Sequence, residues 1–197
     1  MEARSPTSAT GEWPPSPPAL PLLTARLRLR AFRAADHDDV HAFQGLPDVA
    51  RYLYRDPMSR DEAGAWLAAA IAGRFVADGD TLRLAVTEAG DDRVIGSVQL
   101  RLASVPARQA ELGYIVAPAH AGRGYAGEAA ATMRDLAFAQ LGMHRVFARI
   151  DAENVASIRV CERLRMRREA HLVENDCWNG RWGSEVVYAQ LRREWAG

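Results

Sequence analysis

Residues His120–Gly142 read HAGRGYAGEAAATMRDLAFAQLG: three glycines, Gly122, Gly124 and Gly127, fall within six residues and open an unbroken helical pattern that runs from about Gly124 to Leu141. A glycine loop feeding a helix is a site for an anion. Backbone N–H groups without an intrahelical partner converge at the first turn, the helix dipole adds partial positive charge, and missing Cβ atoms allow close approach. Two familiar phosphate loops are excluded. The chain has no lysine and hence no Gly-Lys-Ser/Thr of a P-loop, and the stretch comes late in the chain rather than opening a leading βαβ unit as Gly-x-Gly-x-x-Gly. The remaining expectation is a pyrophosphate on the helix start.

Upstream lie three strand-like runs, TLRLAVTE, VIGSVQLRLAS and QAELGYIVAP, separated by AGDDR and VPAR turns, which predict an antiparallel meander. Before them, Ala25–Phe32 alternates apolar residues with arginine as a half-buried strand, and AADHDDVHAFQG predicts a short helix closed by Gly45. Ser59–Glu62 (SRDE) forms a capping box for a helix expected to run toward Asp78. Downstream, His144–Asp151 is a strand and Asn154–Leu164 a helix. Two closing strands flank a WNGRWG turn. The first twenty-odd residues stand apart: WPPSPPALP holds half of the ten prolines and reads as a polyproline-like tail, so the division expected is a tail over 1–21 and one domain over 22–197.

With 197 residues, 48% of them hydrophobic, the chain can bury one sizeable core. Its 25 cations, all arginine, balance 25 acids, so no basic field points to nucleic acid or an anionic membrane. The arginine bias is read as a GC-rich genome. No apolar run suits a membrane span or a secretory signal, and Cys161 and Cys177 form neither a disulfide framework nor a metal-ligand spacing; a cytoplasmic protein is expected. The five histidines are dispersed and suggest no metal.

Taken with ELGYIVAP before the loop and NVASIRVCERLRM after it, the chain from about Leu22 to Trp195 resembles the GNAT N-acetyltransferase superfamily, within it the RimJ/RimL branch. The family's Gln/Arg-x-x-Gly-x-Gly/Ala loop falls on Ala121–Ala126, with Gly124 and Ala126 in the small positions and Ala121 departing from the first. Its Asn-x-x-Ser helix start falls on Asn154 and Ser157. The closing hairpin is also similar to that branch. In ERLRM, Arg165 stands where the family usually has glycine, so a different local turn is expected.

The resemblance implies an α/β (α+β) GNAT fold: a mixed, mostly antiparallel sheet of six to seven strands with a splayed pair and about four helices. It also implies an acetyl-CoA-dependent N-acetyltransferase without a metal, acting by direct attack on the thioester. The acceptor is expected to be a protein N-terminal α-amine; the alternatives are a small amine such as an antibiotic or polyamine, or a catalytically weak acyl-CoA-binding module. A homodimer is expected. Cofactor contacts are assigned to the backbone of Ile115, Val116 and Ala117, to Gly122, Arg123, Gly124, Tyr125, Ala126 and Gly127 in the loop, and to Asn154, which otherwise is an ordinary N-cap. Glu111 is the expected base, with Glu174 and Asp176, alternate residues expected on one strand face, as runners-up. Ser157 is the expected acid toward the leaving thiolate. Cys161, where many relatives carry a tyrosine, is read as core. Glu128 is assigned a structural role at the helix start, and Trp13 an anchoring role for the tail.

Overall fold

A computed structural model of the chain describes residues 13–195. The meander anticipated from alternation forms β3 (Thr81–Glu88), β4 (Val94–Ser104) and β5 (Gln109–Val116). These join β1 (Leu22–Leu23), β2 (Leu27–Arg30), β6 (Arg145–Asp151), β7 (Arg167–Trp178) and β8 (Arg181–Leu191) in one sheet of order β1-β2-β3-β4-β5-β6-β8-β7. All pairings are antiparallel except β5 with β6. Helices α1 (His37–Gln44), α2 (Pro47–Ala50), α3 (Arg60–Ile71), α4 (Tyr125–Ala139), α5 (Val155–Arg163) and α6 (Arg192–Trp195) complete the described residues. The sheet therefore has eight strands, beyond the six to seven expected, and there are six α-helices rather than four. The added elements are short, β1 with two residues and α2 and α6 with four each, too brief to carry a readable period.

Strand alternation divides the core between the two sheet faces. Leu84, Val86, Leu100 and Leu112 pack with Ala130, Met133 and Phe138 of α4 and Val160 and Cys161 of α5. On the other face, Val40 and Phe43 of α1 and Ala63 and Leu67 of α3 pack on Phe32, Ala85 and Val94. The helices cover only part of this second face, and the uncovered remainder becomes a cleft.

Several local expectations change. Ser59 caps α3 with the reciprocal Glu62 contact, but the helix ends at Ile71 rather than near Asp78. After it, Asp80 accepts from the N–H groups of Val76 and Ala77 and fixes a turn instead. Gly45 closes α1 at φ −80°, so it is required for space: a Cβ there would sit 2.9 Å from the His41 carbonyl. Arg165 adopts φ +57°, the left-handed turn that a glycine would make, and not a different one. The N–H of Met166 donates to the Cys161 carbonyl and that of Arg165 to Glu162, the paired bonds that terminate a helix through a left-handed residue.

The described part of the tail lies on its own domain. The Trp13 indole N–H donates to the Val76 carbonyl at 2.7 Å, its ring meets Phe75, and the Arg108 guanidinium sits 4.4 Å from the ring centre. The rest of the expected tail, residues 1–12, is outside the described residues.

At the other edge of the helical layer, Arg30 and Asp36 form a two-pronged ion pair, both bonds 2.8 Å, with side chains only 5% and 7% exposed. The Asp36 carboxylate beside it and the nearby Asp92 hold the Arg30 guanidinium above its usual pKa. Asp36→Ala leaves a buried guanidinium without its main partner. It is expected to cost about 3 kcal/mol, read as a lower urea midpoint at unchanged slope.

Candidate active site

The sheet opens at β5. Its parallel pairing with β6 covers only Gln109↔Arg145, Ala110↔Val146 and Glu111↔Phe147, whereas its pairing with β4 continues to Gly96↔Val116. Beyond Glu111 the two strands splay. Which backbone groups face the gap follows from register. The Ala117 N–H donates to the Ile95 carbonyl at 2.8 Å, and in an antiparallel ladder the hydrogen-bonded positions alternate, so Gly113, Ile115 and Ala117 are turned toward β4. Leu112, Tyr114 and Val116 face the gap. Of the three backbone positions expected, then, only Val116 is turned toward the gap; Ile115 and Ala117 are used within the sheet, and Tyr114 faces the gap as well.

On one side of the gap lies a cleft of about 540 Å³. Gly122, Gly124, Tyr125, Ala126 and Gly127 form one wall, and Asn154 and Ser157 contribute to the other. Gly122 and Gly124 have φ of +76° and +82°, with Gly124 the left-handed N-cap of α4, so both positions require glycine. Gly127 is helical and a Cβ there would meet nothing within 4 Å. The first bond within α4 is Glu128 N–H to the Gly124 carbonyl, which leaves the N–H groups of residues 125–127 directed out of the helix start. A side-chain-free cradle with outward N–H groups fits a pyrophosphate.

The loop is held from behind. Glu128 pairs with Arg26 at 2.7 Å and accepts from Thr24, while Arg26 also donates to the Arg123 carbonyl and stacks on the Tyr125 ring. Burial works against the Glu128 carboxylate, but the hydrogen bonds from Thr24 and Arg26 hold its pKa below the ordinary range. Arg123, expected at the cofactor, instead directs its guanidinium toward Glu88 at 3.6 Å and is not among the cleft residues. Two cations that were not anticipated, Arg159 and Arg163, lie one turn apart on α5 and line the cleft. Their i, i+4 spacing was the available signal.

On the other side is a cleft of about 560 Å³ that shares Tyr52, Leu53, Tyr114, Ile115, Asn154 and Ser157 with the first. Glu111 lies here, its side chain 27% exposed and 4.0 Å from Arg101. Asp176 lines the same cleft, but Glu174 does not. The expected alternation fails because the β7–β8 register shifts between Leu172 and Asp176, Glu174 takes φ +50°, and its N–H donates to Ser184 Oγ. Tyr54 closes one end, donating to Asp151 at 2.7 Å; a Cβ on Gly183 would approach its ring to 2.2 Å. Trp178 and Trp182 line a neighbouring cavity with Arg51 and Tyr52.

Between the clefts, Asn154 Oδ1 accepts from the Ser157 N–H at 3.1 Å, the ordinary N-cap of α5. The Tyr114 hydroxyl donates to the Ser157 carbonyl at 3.0 Å and lies 3.8 Å from Cys161 Sγ. Burial raises the pKa of Tyr114, and it pushes the Cys161 thiol up to about 11, so both hold their protons at neutral pH. Among the described residues no group of three or more His, Cys, Asp or Glu is arranged for a metal, and no helix is long and apolar enough to cross a membrane.

Residues 26–167 match the model of the acetyltransferase (GNAT) domain family. The chain is 28% identical over 176 residues to the uncharacterized N-acetyltransferase p20 of Bacillus licheniformis, covering 89% of this chain and 98% of that protein. It is 27% identical to the spermidine N(1)-acetyltransferase of Vibrio cholerae, covering 81% and 90%. Among solved structures, a GNAT-family acetyltransferase from Bacillus anthracis shares the fold, with a TM-score of 0.81 at 24% identity over 89% of this chain and 100% of that one. The Vibrio cholerae spermidine N-acetyltransferase, in complex with CoA and spermine, superposes with a TM-score of 0.76 at 26% identity, over 88% and 100%.

The left-handed Gly124 N-cap generates a direct test. Gly124→Trp is expected to weaken CoA binding at least about tenfold by calorimetry, with an unchanged circular dichroism spectrum, since a side chain there strains the left-handed turn and pushes on Arg26, which anchors the loop, 3.3 Å from the added Cβ.

Proposed function

Because the chain belongs to the GNAT acetyltransferase family, we propose that it moves the acetyl group of acetyl-CoA onto a primary amine within the gap between β5 and β6. One observation carries this reading: two clefts, one ending in the glycine-lined helix start and the other holding Glu111, meet at Tyr114 and Ser157. The pyrophosphate lies on the Gly122–Gly127 turn, with Arg159 and Arg163 beside it, and the pantetheine arm pairs with the free edge of β5. The Nδ2 of the capping Asn154 is available to the same arm.

The amine enters from the opposite cleft. Glu111, directly or through a water, takes the proton that the ammonium must lose, and the nitrogen attacks the thioester carbonyl. The Val116 N–H faces the developing oxyanion. As the C–N bond forms and the C–S bond breaks, the nitrogen releases its second proton to solvent, while the Ser157 hydroxyl gives a proton to the thiolate and is reprotonated from solvent. Cys161, held as a buried thiol behind Tyr114, supports that arrangement as core. The acceptor follows the expected RimJ/RimL kind, a protein N-terminal α-amine. Supporting this, the acceptor cleft mixes arginines 55, 83, 101 and 149 with the acids Glu111, Asp151, Asp176 and Glu185, a balance that offers little net attraction to a polycation. A polyamine is the second reading, because similar proteins of Vibrio cholerae and Escherichia coli are spermidine acetyltransferases.

Thiol release measured with a panel of peptides, amino acids and spermidine tests the acceptor class; turnover of spermidine alone would reverse the order of the two readings. With an identified acceptor, Glu111→Gln and Ser157→Ala are each expected to lower kcat by about 10²–10⁴-fold. Full kcat in both variants would remove these two residues from the mechanism.

A further inference from the structure

Among the described residues, Arg83 is the cleft arginine that has neither a carboxylate partner nor a hydrogen bond from its terminal nitrogens. It stands on β3, pointing into the acceptor cleft, with its Nε donating to Gln99 Oε1 at 2.7 Å and its guanidinium 4.5 Å from the centre of the Trp66 ring. Among the described residues no carboxylate lies in ion-pair contact with it, and its two terminal nitrogens make no hydrogen bond. The other cleft arginines differ. Arg149 pairs with Glu185 at 2.8 Å, Arg101 approaches Glu111, and Arg55 is spent on Gln44 and on the carbonyl of Asp56. Burial lowers the pKa of Arg83, and no acid offsets that loss.

A half-buried guanidinium with four N–H bonds to give has the donor fork that matches a carboxylate, and an aromatic face beneath it holds the fork flat. Its placement is fixed by the sheet. Arg83, Gln99 and Gly113 are cross-strand neighbours on three adjacent strands, and a Cβ on Gly113 would press on Gln99 Nε2 at 3.1 Å, so the bare glycine leaves room for the Gln99 side chain that steadies Arg83. Two strand spacings separate Arg83 from the free edge of β5, roughly 10 Å at the usual interval. An arginine side chain shortens that span, so one small acceptor can reach both ends.

We propose that Arg83 is the anion-recognition residue of the acceptor site, and that the acceptor is an amine whose own molecule carries a carboxylate. This rests on the acetyl-transfer reading above. The carboxylate belongs either to a free amino acid or dipeptide, or to an acidic side chain near a peptide N-terminus; the chemistry at Arg83 is the same.

The test is binding of products to the CoA-loaded protein by calorimetry. One arm compares N-acetyl-β-alanine and N-acetylglycylglycine with their carboxamides; the other compares an N-acetylated Ser-Asp peptide amide with its Ser-Asn counterpart. The carboxylate form is expected to bind at least about 30-fold more tightly in one arm, which identifies its source, and Arg83→Gln is expected to abolish the difference. Unchanged acetyl-CoA affinity reports that the variant is folded, and Arg83→Lys, which keeps charge but loses the fork, is expected to restore part of the preference. Equal binding of acid and amide in both arms, or a preference that survives Arg83→Gln, overturns the proposal. An Arg83-dependent preference without thiol release for any amine sustains the carboxylate site and overturns the transfer reading beneath it.

Discussion

The molecule is organised by a pairing that stops early. Three parallel register positions tie β5 to β6, and then the strands part while β5 remains fully paired with β4 and β6 with β8. An unpaired strand edge inside a sheet leaves backbone donors and acceptors unsatisfied, a cost that folded proteins rarely carry without a partner. Here every neighbouring element is arranged around that edge: α5 caps its start beside it through Asn154, Tyr114 bridges from β5 to α5, and the glycine turn of α4 stands at its end. In the transfer we propose, a thioester arm that adds itself to the edge supplies the missing partners, and cosubstrate binding and completion of the sheet become one event.

The rigidity that this requires comes from polar anchors around the gap more than from the gap itself. Arg26 reaches from the β1–β2 connection to tie Glu128 and the Arg123 carbonyl, fixing the first turn of α4 from the side away from the cleft. The reciprocal bonds between Asn175 and Glu185 hold the irregular part of β7 in place, and Arg149 closes that cluster. Such networks are only partly exposed and satisfy one another, which makes them better positioning devices than scattered surface ion pairs.

Much of the scaffold was legible because its segments obey simple periods. TLRLAVTE and VIGSVQLRLAS became β3 and β4 at the boundaries expected, and the run that began at Gln109 ended as a strand two residues early, at Val116. The glycine turn and the Asn154 cap were equally readable, since each is a local demand of backbone geometry. What was not legible depends on relations between strands. Which of Ile115, Val116 and Ala117 offers its N–H is decided by register with β4, and Glu174 left the face of Asp176 because a bulge interrupts a pattern that looks regular in the sequence. Arg83 is one more arginine in a half-buried strand until α3 brings Trp66 over it. Arg165 shows the converse: a residue unlike the expected glycine made the same turn, because the bonds closing α5 outweigh the strain of a left-handed arginine.

Trp13 has a practical consequence for handling the molecule. It is fastened to Val76 and Arg108, beside the residue at which β5 begins, whereas the gap opens toward the strand's far end at Val116. Eight strand residues separate these points, roughly 25 Å at the usual rise. The amino-terminal end of the described residues is thus pinned at the end of the sheet opposite the chemistry, so a fluorophore attached in place of a residue beside Trp13 would sit away from both clefts.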